Sequence, residues 1–234
     1  MISIHQSQFL SWCPYYYKVL ASDNFVILDD VQFQKNGVQN RNMIKTPMGA
    51  SWITIPVKHD LQTIIKDVEV SDVRCYEKII RTFESNYKKS KNYDYVLNSL
   101  VSIFGQSIKK LDELNNLLFL EVLKHLKPNN LSVSYSSQLN TVMKKDDLVI
   151  EIIKKIGDNE YLSGRGALSY MDLEKFKKEN IKVYTCEFTP TPYSQLWESR
   201  VGFIKDLSVI DLLFNELDNA HDYLMKNGSF NRIV

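Results

Sequence analysis

The chain has 234 residues, which is enough for one large domain or two small domains with a buried core. Its hydrophobic content of 44% excludes a wholly disordered protein. The 29 Lys and Arg residues nearly balance the 28 Asp and Glu residues. The net charge of +1 therefore argues against a dedicated nucleic-acid-binding protein, which normally carries a basic excess.

The cysteines and the first residues of the chain indicate its compartment. The three cysteines are widely spaced and form no CxxC pair, which argues against disulfides and against a zinc site. The N-terminal residues lack the basic and apolar regions of a signal peptide, and no apolar run approaches the roughly 18 residues of a membrane span. We therefore expect a cytoplasmic protein with no membrane-spanning segment and no metal centre.

The first third of the chain is predicted to form short strands at residues 2–4, 25–28 and 52–57. The run at 25–28 is entirely apolar, which is typical of a strand buried on both faces. Pro56 lacks a backbone N–H, so it places the third strand at a sheet edge or ends it early.

Residues 72–127 are predicted to be helical. The first helix has apolar residues at helical spacing, namely Val73, Tyr76, Ile79, Ile80 and Phe83. Two further helices are predicted at 95–108 and 112–126, and Pro128 ends the run.

The second half alternates strands and helices. The predicted elements are a strand at 131–135, a helix around 149–156, a turn at 163–166, a helix at 170–178, a strand at 181–188 and a helix at 208–215. Gly157 is expected to end its helix in the left-handed conformation, and Ser208 with Asp211 matches a capping box. This order predicts an α/β fold with a mostly parallel sheet, flanking helices and a helical middle segment packed on it. We treat residues 1–234 as a single domain with a helical sub-lobe at approximately 72–127.

Polar residues that follow the first two strands are candidates for chemistry. His5 and Gln6 lie where the first strand ends, and ligands of open α/β sheets bind at the carboxyl ends of strands. Histidine also suits acid–base catalysis near neutral pH, although a buried structural histidine fits the pattern equally well. Asp29 and Asp30 follow the second strand, and two carboxylates are too costly to bury unpaired. One of them is expected to face a cleft, with a helix cap or a turn as the alternative.

Three later stretches combine residues that bind anions or line pockets. The first supplies amides and cations suited to a phosphate or carboxylate, namely Asn40, Arg41, Asn42 and Lys45. The second, at 163–166, is a Ser-Gly-Arg-Gly turn whose backbone amides can hold an anion. The third, at 189–197, is a proline-stiffened segment with the aromatic and amide groups of a pocket wall. A solvated loop, a plain tight turn and a stiff connection are the respective structural alternatives.

Taken together, these segments resemble the WbqC-like family of bacterial proteins over nearly the whole chain. That family opens with a His-Gln-Pro-x-aromatic-x-Pro-Trp-x-Gly-aromatic pattern, which is matched here by His5, Gln6, Phe9 and Trp12. The sequence departs from this pattern at Ser7, Ser11 and Pro14. The Phe-Val-Ile-Leu-Asp-Asp-Val-Gln-Phe segment at 25–33 and the Asn-Arg-Asn segment at 40–42 match closely, as do 161–164, Tyr170, Tyr193, Gln195 and 207–215.

The resemblance implies a transferase of O-antigen, lipopolysaccharide or related surface-polysaccharide biosynthesis. Such an enzyme would attach an acyl or aminoacyl group, for example glycyl, to the amine of a nucleotide-linked amino sugar. On this hypothesis His5 deprotonates the amine, and Asp30 orients His5 or binds the amine. The expected substrate-binding residues are Gln6, Trp12, Asp29, Gln32, Asn40, Arg41, Asn42, Lys45, Ser163, Gly164, Arg165, Tyr170, Tyr193 and Gln195. The donor and any cofactor stay unknown.

Two other classes of protein fit the same residues. A strand, a His-containing loop and a helix are also similar to HxGH-type nucleotidyltransferases and adenylating ligases, although Gln8 replaces the second histidine here. A non-catalytic nucleotide-sugar-binding protein is the third alternative, because aromatic and amide side chains suffice for binding. An aminoacyl-tRNA donor would need an exposed basic surface, against which the net charge of +1 argues.

Overall fold

A computed structural model describes all residues from Met1 to Val234. The strands are β1 (Ile2–Gln6), β2 (Asn24–Leu28), β3 (Arg41–Thr46), β4 (Gly49–Thr54), β5 (Val57–Lys58), β6 (Glu69–Val70), β7 (Ser132–Tyr135), β8 (Glu160–Gly164), β9 (Lys182–Phe188) and β10 (Gly228–Arg232). The helices are α1 (Cys13–Leu20), α2 (Cys75–Tyr87), α3 (Tyr93–Phe104), α4 (Leu111–Leu126), α5 (Lys145–Ile156), α6 (Leu173–Lys178), α7 (Glu198–Val201), α8 (Val209–Glu216) and α9 (Ala220–Asn227). None of these helices combines the length and the apolar content needed to cross a bilayer.

The main sheet has six strands in the order β10-β9-β8-β1-β2-β7. All neighbouring pairs are parallel except β10 with β9. The central strands are buried on both faces, since Ile2 and Ile4 belong to one apolar cluster and Phe25 and Ile27 belong to another. The predicted α/β class with a mostly parallel sheet is therefore confirmed.

The strand order reverses once in the middle of this sheet. The chain passes from β1 to β2 and then to β7 on one side of β1, and it later adds β8 and β9 on the other side. In open α/β sheets with such a reversal, the loops after the two flanking strands diverge and leave a crevice between the carboxyl ends of those strands. In open α/β sheets this switch point is where ligands bind.

The helical middle segment packs on the face of the sheet that carries Phe25. Phe119 of α4 stacks on Tyr16 of α1 with ring centroids 5.9 Å apart and on Phe25 of β2 with centroids 5.7 Å apart. Apolar residues of α2, α3, α4 and α8 belong to the same cluster as these rings. The helices and the sheet thus share one core.

Several element boundaries differ from the predictions. The strand predicted at 52–57 ends at Thr54, ahead of Pro56, and forms a separate hairpin with β3. The helix predicted from residue 170 begins only at Leu173, because Asp172 is its N-cap and accepts a hydrogen bond from the Glu174 N–H at 3.1 Å. Gly157 does end α5 in the left-handed conformation, with a φ of 81°.

The predicted capping box at the start of α8 is only half formed. Ser208 Oγ accepts a hydrogen bond from the Ile210 N–H at 3.3 Å and so caps the helix. Asp211 does not close the box, because its carboxylate accepts hydrogen bonds from two tyrosines and a glutamine elsewhere in the core. Asp211 therefore contributes to a polar network between distant segments of the chain, and not to a local hydrogen bond with the N-terminus of α8.

Candidate functional site

His5 lies at the carboxyl end of β1, beside the switch point. Its ring is half-buried and meets the ring of Tyr15 edge-on, with centroids 5.0 Å apart. Burial, followed by the positive charge of Lys18, lowers the pKa of His5 to about 3. The imidazole is therefore neutral at neutral pH.

A short hydrogen-bonded chain orients the His5 ring. Ser11 Oγ donates to Gln8 Oε1, which turns the Gln8 amide nitrogen toward His5 Nδ1 at 3.3 Å. In this arrangement Nδ1 accepts and Nε2 carries the proton. The carbonyl of Gln6 also lies 3.3 Å from Nδ1, and the opposite tautomer would donate to it and leave Nε2 as a proton acceptor. Nε2 has no protein partner in either case, so it is available to a ligand.

The loop after β1 is held by side chains from distant elements. Asn42 Nδ2 and Ser208 Oγ both donate to the Leu10 carbonyl, at 2.8 Å and 2.5 Å. Gln39 Nε2 donates to Gln6 Oε1 at 2.9 Å. Two predicted site residues, Asn42 and Gln6, thus contact the loop after β1. Gln39 and Ser208 contact the same loop but were not predicted as site residues. The predicted Trp12 ends this loop and is 40% exposed.

The two predicted carboxylates lie at the end of β2. Asp29 is buried and accepts hydrogen bonds from Ser136 Oγ at 3.0 Å, from the Ser137 N–H at 2.9 Å and from Ser137 Oγ at 2.5 Å. Asp29 therefore fixes the 3-10 turn after β7, which corresponds to the predicted turn alternative. Asp30 is half-buried, and its only hydrogen-bond partner is the Ser136 hydroxyl, whose single proton it shares with Asp29. Neither carboxylate is hydrogen-bonded to His5.

Three other predicted residues meet in an internal network. The buried Lys45 ammonium donates to Gln195 Oε1 at 2.9 Å and to the Gly202 carbonyl at 2.5 Å. Gln195 Nε2 and Tyr193 OH donate to Asp211 Oδ2 at 2.9 Å and 2.6 Å. Burial lowers the pKa of Lys45 and raises the pKa of Asp211. The network joins β3 to α8 and has no hydrogen bond to the His5 loop.

The remaining residues of the β3 region bond mainly to their own neighbourhood. Asn40 Nδ2 donates to the Ile55 carbonyl at 2.8 Å, and the Arg41 guanidinium lies 4.4 Å from the centre of the Trp52 ring. Asn40 Oδ1 and Arg41 Nε are buried without a hydrogen-bond partner. The exposed Gln32 donates to the Leu61 carbonyl at 2.5 Å.

The Ser-Gly-Arg-Gly segment lies at the carboxyl end of β8, the neighbour of β1 at the switch point. Ser163 is fully buried, and its Oγ donates to the Gly164 carbonyl at 3.3 Å at the end of β8. Arg165 and Tyr170 are exposed and form no salt bridge or side-chain hydrogen bond. The structure therefore groups His5 and Gln6 with Ser163, Gly164 and Arg165 on two sides of the switch point.

A cavity of about 660 Å³ lies away from the switch point, between the ends of α3, α4 and α9. None of the predicted site residues lines it. The lining residues are Asn92, Tyr95, Lys124, His125, Leu126, Lys127, Asn129, Leu217, Asp218 and His221. No three His, Cys, Asp or Glu side chains converge anywhere in the chain as metal ligands would.

Comparison with known proteins places the whole arrangement in a family. A model of the WbqC-like protein family matches residues 6–223. The chain is also 30% identical over 228 residues to the uncharacterized protein Rv1507c of Mycobacterium tuberculosis, which covers 95% of this chain and 96% of the relative. No solved structure matches. This chain therefore belongs to the WbqC-like protein family.

Proposed function

We propose that this protein is a transferase that attaches an acyl or aminoacyl group, such as glycyl, to the amine of a nucleotide-linked amino sugar. The observation that carries the proposal is the reversal of strand order between β1 and β8, with His5 at its edge. Nucleotides bind at this position in open α/β sheets, because strand ends and diverging loops leave a crevice there. The resemblance of the chain to a polysaccharide-biosynthesis family supplies the substrate class.

In the proposed reaction the sugar amine attacks the carbonyl carbon of an activated acyl donor. The new C–N bond forms an amide, the bond to the donor's leaving group breaks, and the amine proton passes to His5. The base is the neutral tautomer in which Nδ1–H donates to the Gln6 carbonyl, because Nε2 is then free to accept this proton. The phosphates of a bound nucleotide would raise the pKa of His5 from its low value in the free protein, because nearby negative charge favours imidazolium.

The test has a binding step and a reaction step. Thermal-shift measurements over a panel of nucleotide-linked amino sugars identify the acceptor, since a ligand that binds the folded state raises the melting temperature. Mass spectrometry then follows addition of a glycyl group from thioester, aminoacyl-tRNA or glycine-plus-ATP donors. His5→Gln should lower the rate by about 10²–10⁴-fold, the usual contribution of general acid–base catalysis.

His59→Gln is the matched control, because His59 is a half-buried histidine that packs on Phe33 in the loop after β5, away from the switch point, and its loss should leave the rate unchanged. Binding without turnover of any donor would favour a non-catalytic nucleotide-sugar-binding protein. Full activity of His5→Gln would remove His5 from the mechanism.

A second candidate is an adenylating enzyme. The strand order favours it, because β7-β2-β1-β8-β9 is the 3-2-1-4-5 order of nucleotide-binding α/β folds. The contact of Gln8 with His5 at 3.3 Å places a polar side chain where the second histidine of an HxGH motif would stand. In this reaction an amino-acid carboxylate attacks the α-phosphate of ATP, and pyrophosphate leaves. Glycine-dependent exchange of labelled pyrophosphate into ATP tests it, and absence of exchange excludes it.

A further inference from the structure

The two strands at the switch point separate before they end. Pairing of β1 with β8 stops at Ser3 and Leu162, whereas β1 stays paired with β2 through Gln6. β8 likewise stays paired with β9 through Gly164. The sheet is therefore split between β1 and β8 along the last residues of both strands.

The Ile4 carbonyl points into this split. The Ser7 N–H donates to the Leu28 carbonyl at 3.4 Å, and the Asn24 N–H donates to the Met1 carbonyl at 3.2 Å. Backbone groups of odd-numbered β1 residues thus face β2. Because hydrogen-bonding direction alternates along a strand, the Ile4 carbonyl faces β8, which provides no partner beyond Leu162.

Lys18 occupies the split. Its ammonium donates to the Ile4 carbonyl at 3.4 Å, and the residue is only 4% exposed. An ammonium has three N–H donors, so this single long bond leaves most of its hydrogen-bonding capacity unused. The helix that carries Lys18 is buried nearly all round, which gives the charge no solvated face.

No negative charge of the protein compensates Lys18. It forms no salt bridge, and its titratable neighbours are His5 and Cys186. His5 is neutral at neutral pH, and burial raises the pKa of the Cys186 thiol to about 11, so both neighbours are uncharged. Burial lowers the pKa of Lys18 to about 8, which leaves it mostly protonated at pH 7. A buried cation without a negatively charged partner is energetically costly. An anionic ligand bound at the switch point would supply that partner.

We propose that the Lys18 ammonium is an anion site at the switch point and binds the diphosphate of the nucleotide ligand. The identity of this ligand rests on the proposed function, whereas the anion site rests on the split sheet and on the buried Lys18 ammonium, which has no negatively charged partner. A diphosphate suits the site because it supplies several acceptor oxygens to unused N–H donors. Arg165, exposed directly after β8 and without a salt bridge, is a second cation in the loop that follows β8.

The test titrates inorganic pyrophosphate into the full chain by calorimetry. Lys18→Met removes the charge and keeps the apolar stem, whereas Lys18→Gln also keeps an N–H donor for the Ile4 carbonyl. Both should bind pyrophosphate about 10- to 100-fold more weakly than wild type, the usual effect of losing a charged hydrogen bond. Lys226→Met is the control, because it removes an exposed, unpaired lysine from α9 and should leave the affinity unchanged.

Unfolding curves show that each variant is folded before its affinity is compared. Unchanged pyrophosphate affinity in Lys18→Gln would mean that Lys18 has only a structural role, and it would overturn the proposal. The proposal would also be overturned if the folded wild-type protein did not bind pyrophosphate. The outcome is separable from the transfer reaction. If pyrophosphate binding depends on Lys18 but no glycyl transfer occurs, only the proposed function is refuted. If glycyl transfer occurs but both Lys18 variants bind pyrophosphate as tightly as wild type, only the anion site is refuted.

Discussion

The low pKa of His5 makes the stability of the fold sensitive to acid. The unfolded chain has a histidine pKa near 6.5, whereas the folded value is about 3. Below pH 6.5 the unfolded state therefore binds a proton that the folded state does not. Stability is lost as the pH falls from about 6.5 toward 3, and the His5 contribution to the unfolding free energy is constant above that range.

The size of this effect follows from the same two pKa values. Each pH unit below 6.5 costs about 1.4 kcal/mol, so pH 5 costs at most about 2 kcal/mol relative to pH 8. The ring is partly solvent-exposed, so we expect about 1–2 kcal/mol. In a domain of this length that corresponds to a decrease of roughly 2–8 °C in melting temperature.

The assay compares melting temperatures at pH 8 and pH 5 for wild type, His5→Gln and His59→Gln. Glutamine does not titrate, so His5→Gln should lose several degrees less than wild type on acidification. His59→Gln, changed at a half-buried histidine outside the His5 loop, should lose as much as wild type. Equal acid sensitivity of wild type and His5→Gln would refute the conclusion that burial keeps His5 neutral.

Three further predictions concern stability and the His5 loop. Asp211→Asn should lower the unfolding free energy by about 3–5 kcal/mol in urea, because it breaks a buried charged network. Gly228→Ala should lower the unfolding free energy by about 1–3 kcal/mol in the same urea experiment, since a Cβ there would lie 2.2 Å from the Tyr17 ring. Gly166→Ala is the control and should leave the unfolding free energy nearly unchanged, because a Cβ at Gly166 has nothing within 4 Å. Asn42→Ala should lower the transfer rate at least tenfold in the product assay, because it releases the loop after β1; an unchanged rate would contradict this.

Apolar periodicity was sufficient to predict the framework of the fold. Runs such as 25–28 are too apolar for any position but a sheet interior, and helical spacing marks α2 through α4. The edge strand β10 gave no such signal, because its Gly-Ser-Phe-Asn-Arg sequence is largely exposed. Strand β3 was missed for a different reason, since it carries polar residues such as Asn42 and Lys45 whose side-chain partners, Leu10 and Gln195, are distant in sequence.

The sequence predicts the position of a site residue only where that residue directly follows a strand. His5 and Ser163 could be placed at one edge of the sheet, because both follow strands of a parallel sheet. Nothing local shows that the Lys45 ammonium is engaged by Gln195, which is 150 residues away. Lys18 did carry a signal that was overlooked, since it is a lone charge in the apolar helix Cys13–Leu20.

The central claim is that a nucleotide-linked sugar binds between β1 and β8. Hydrogen–deuterium exchange of the chain with and without a nucleotide-linked amino sugar tests it most directly. We predict slower exchange at residues 5–12 and 163–170, the loops on the two sides of the switch point. Protection confined to the cavity lined by Lys124, His125 and His221, with none in those two loops, would contradict the account.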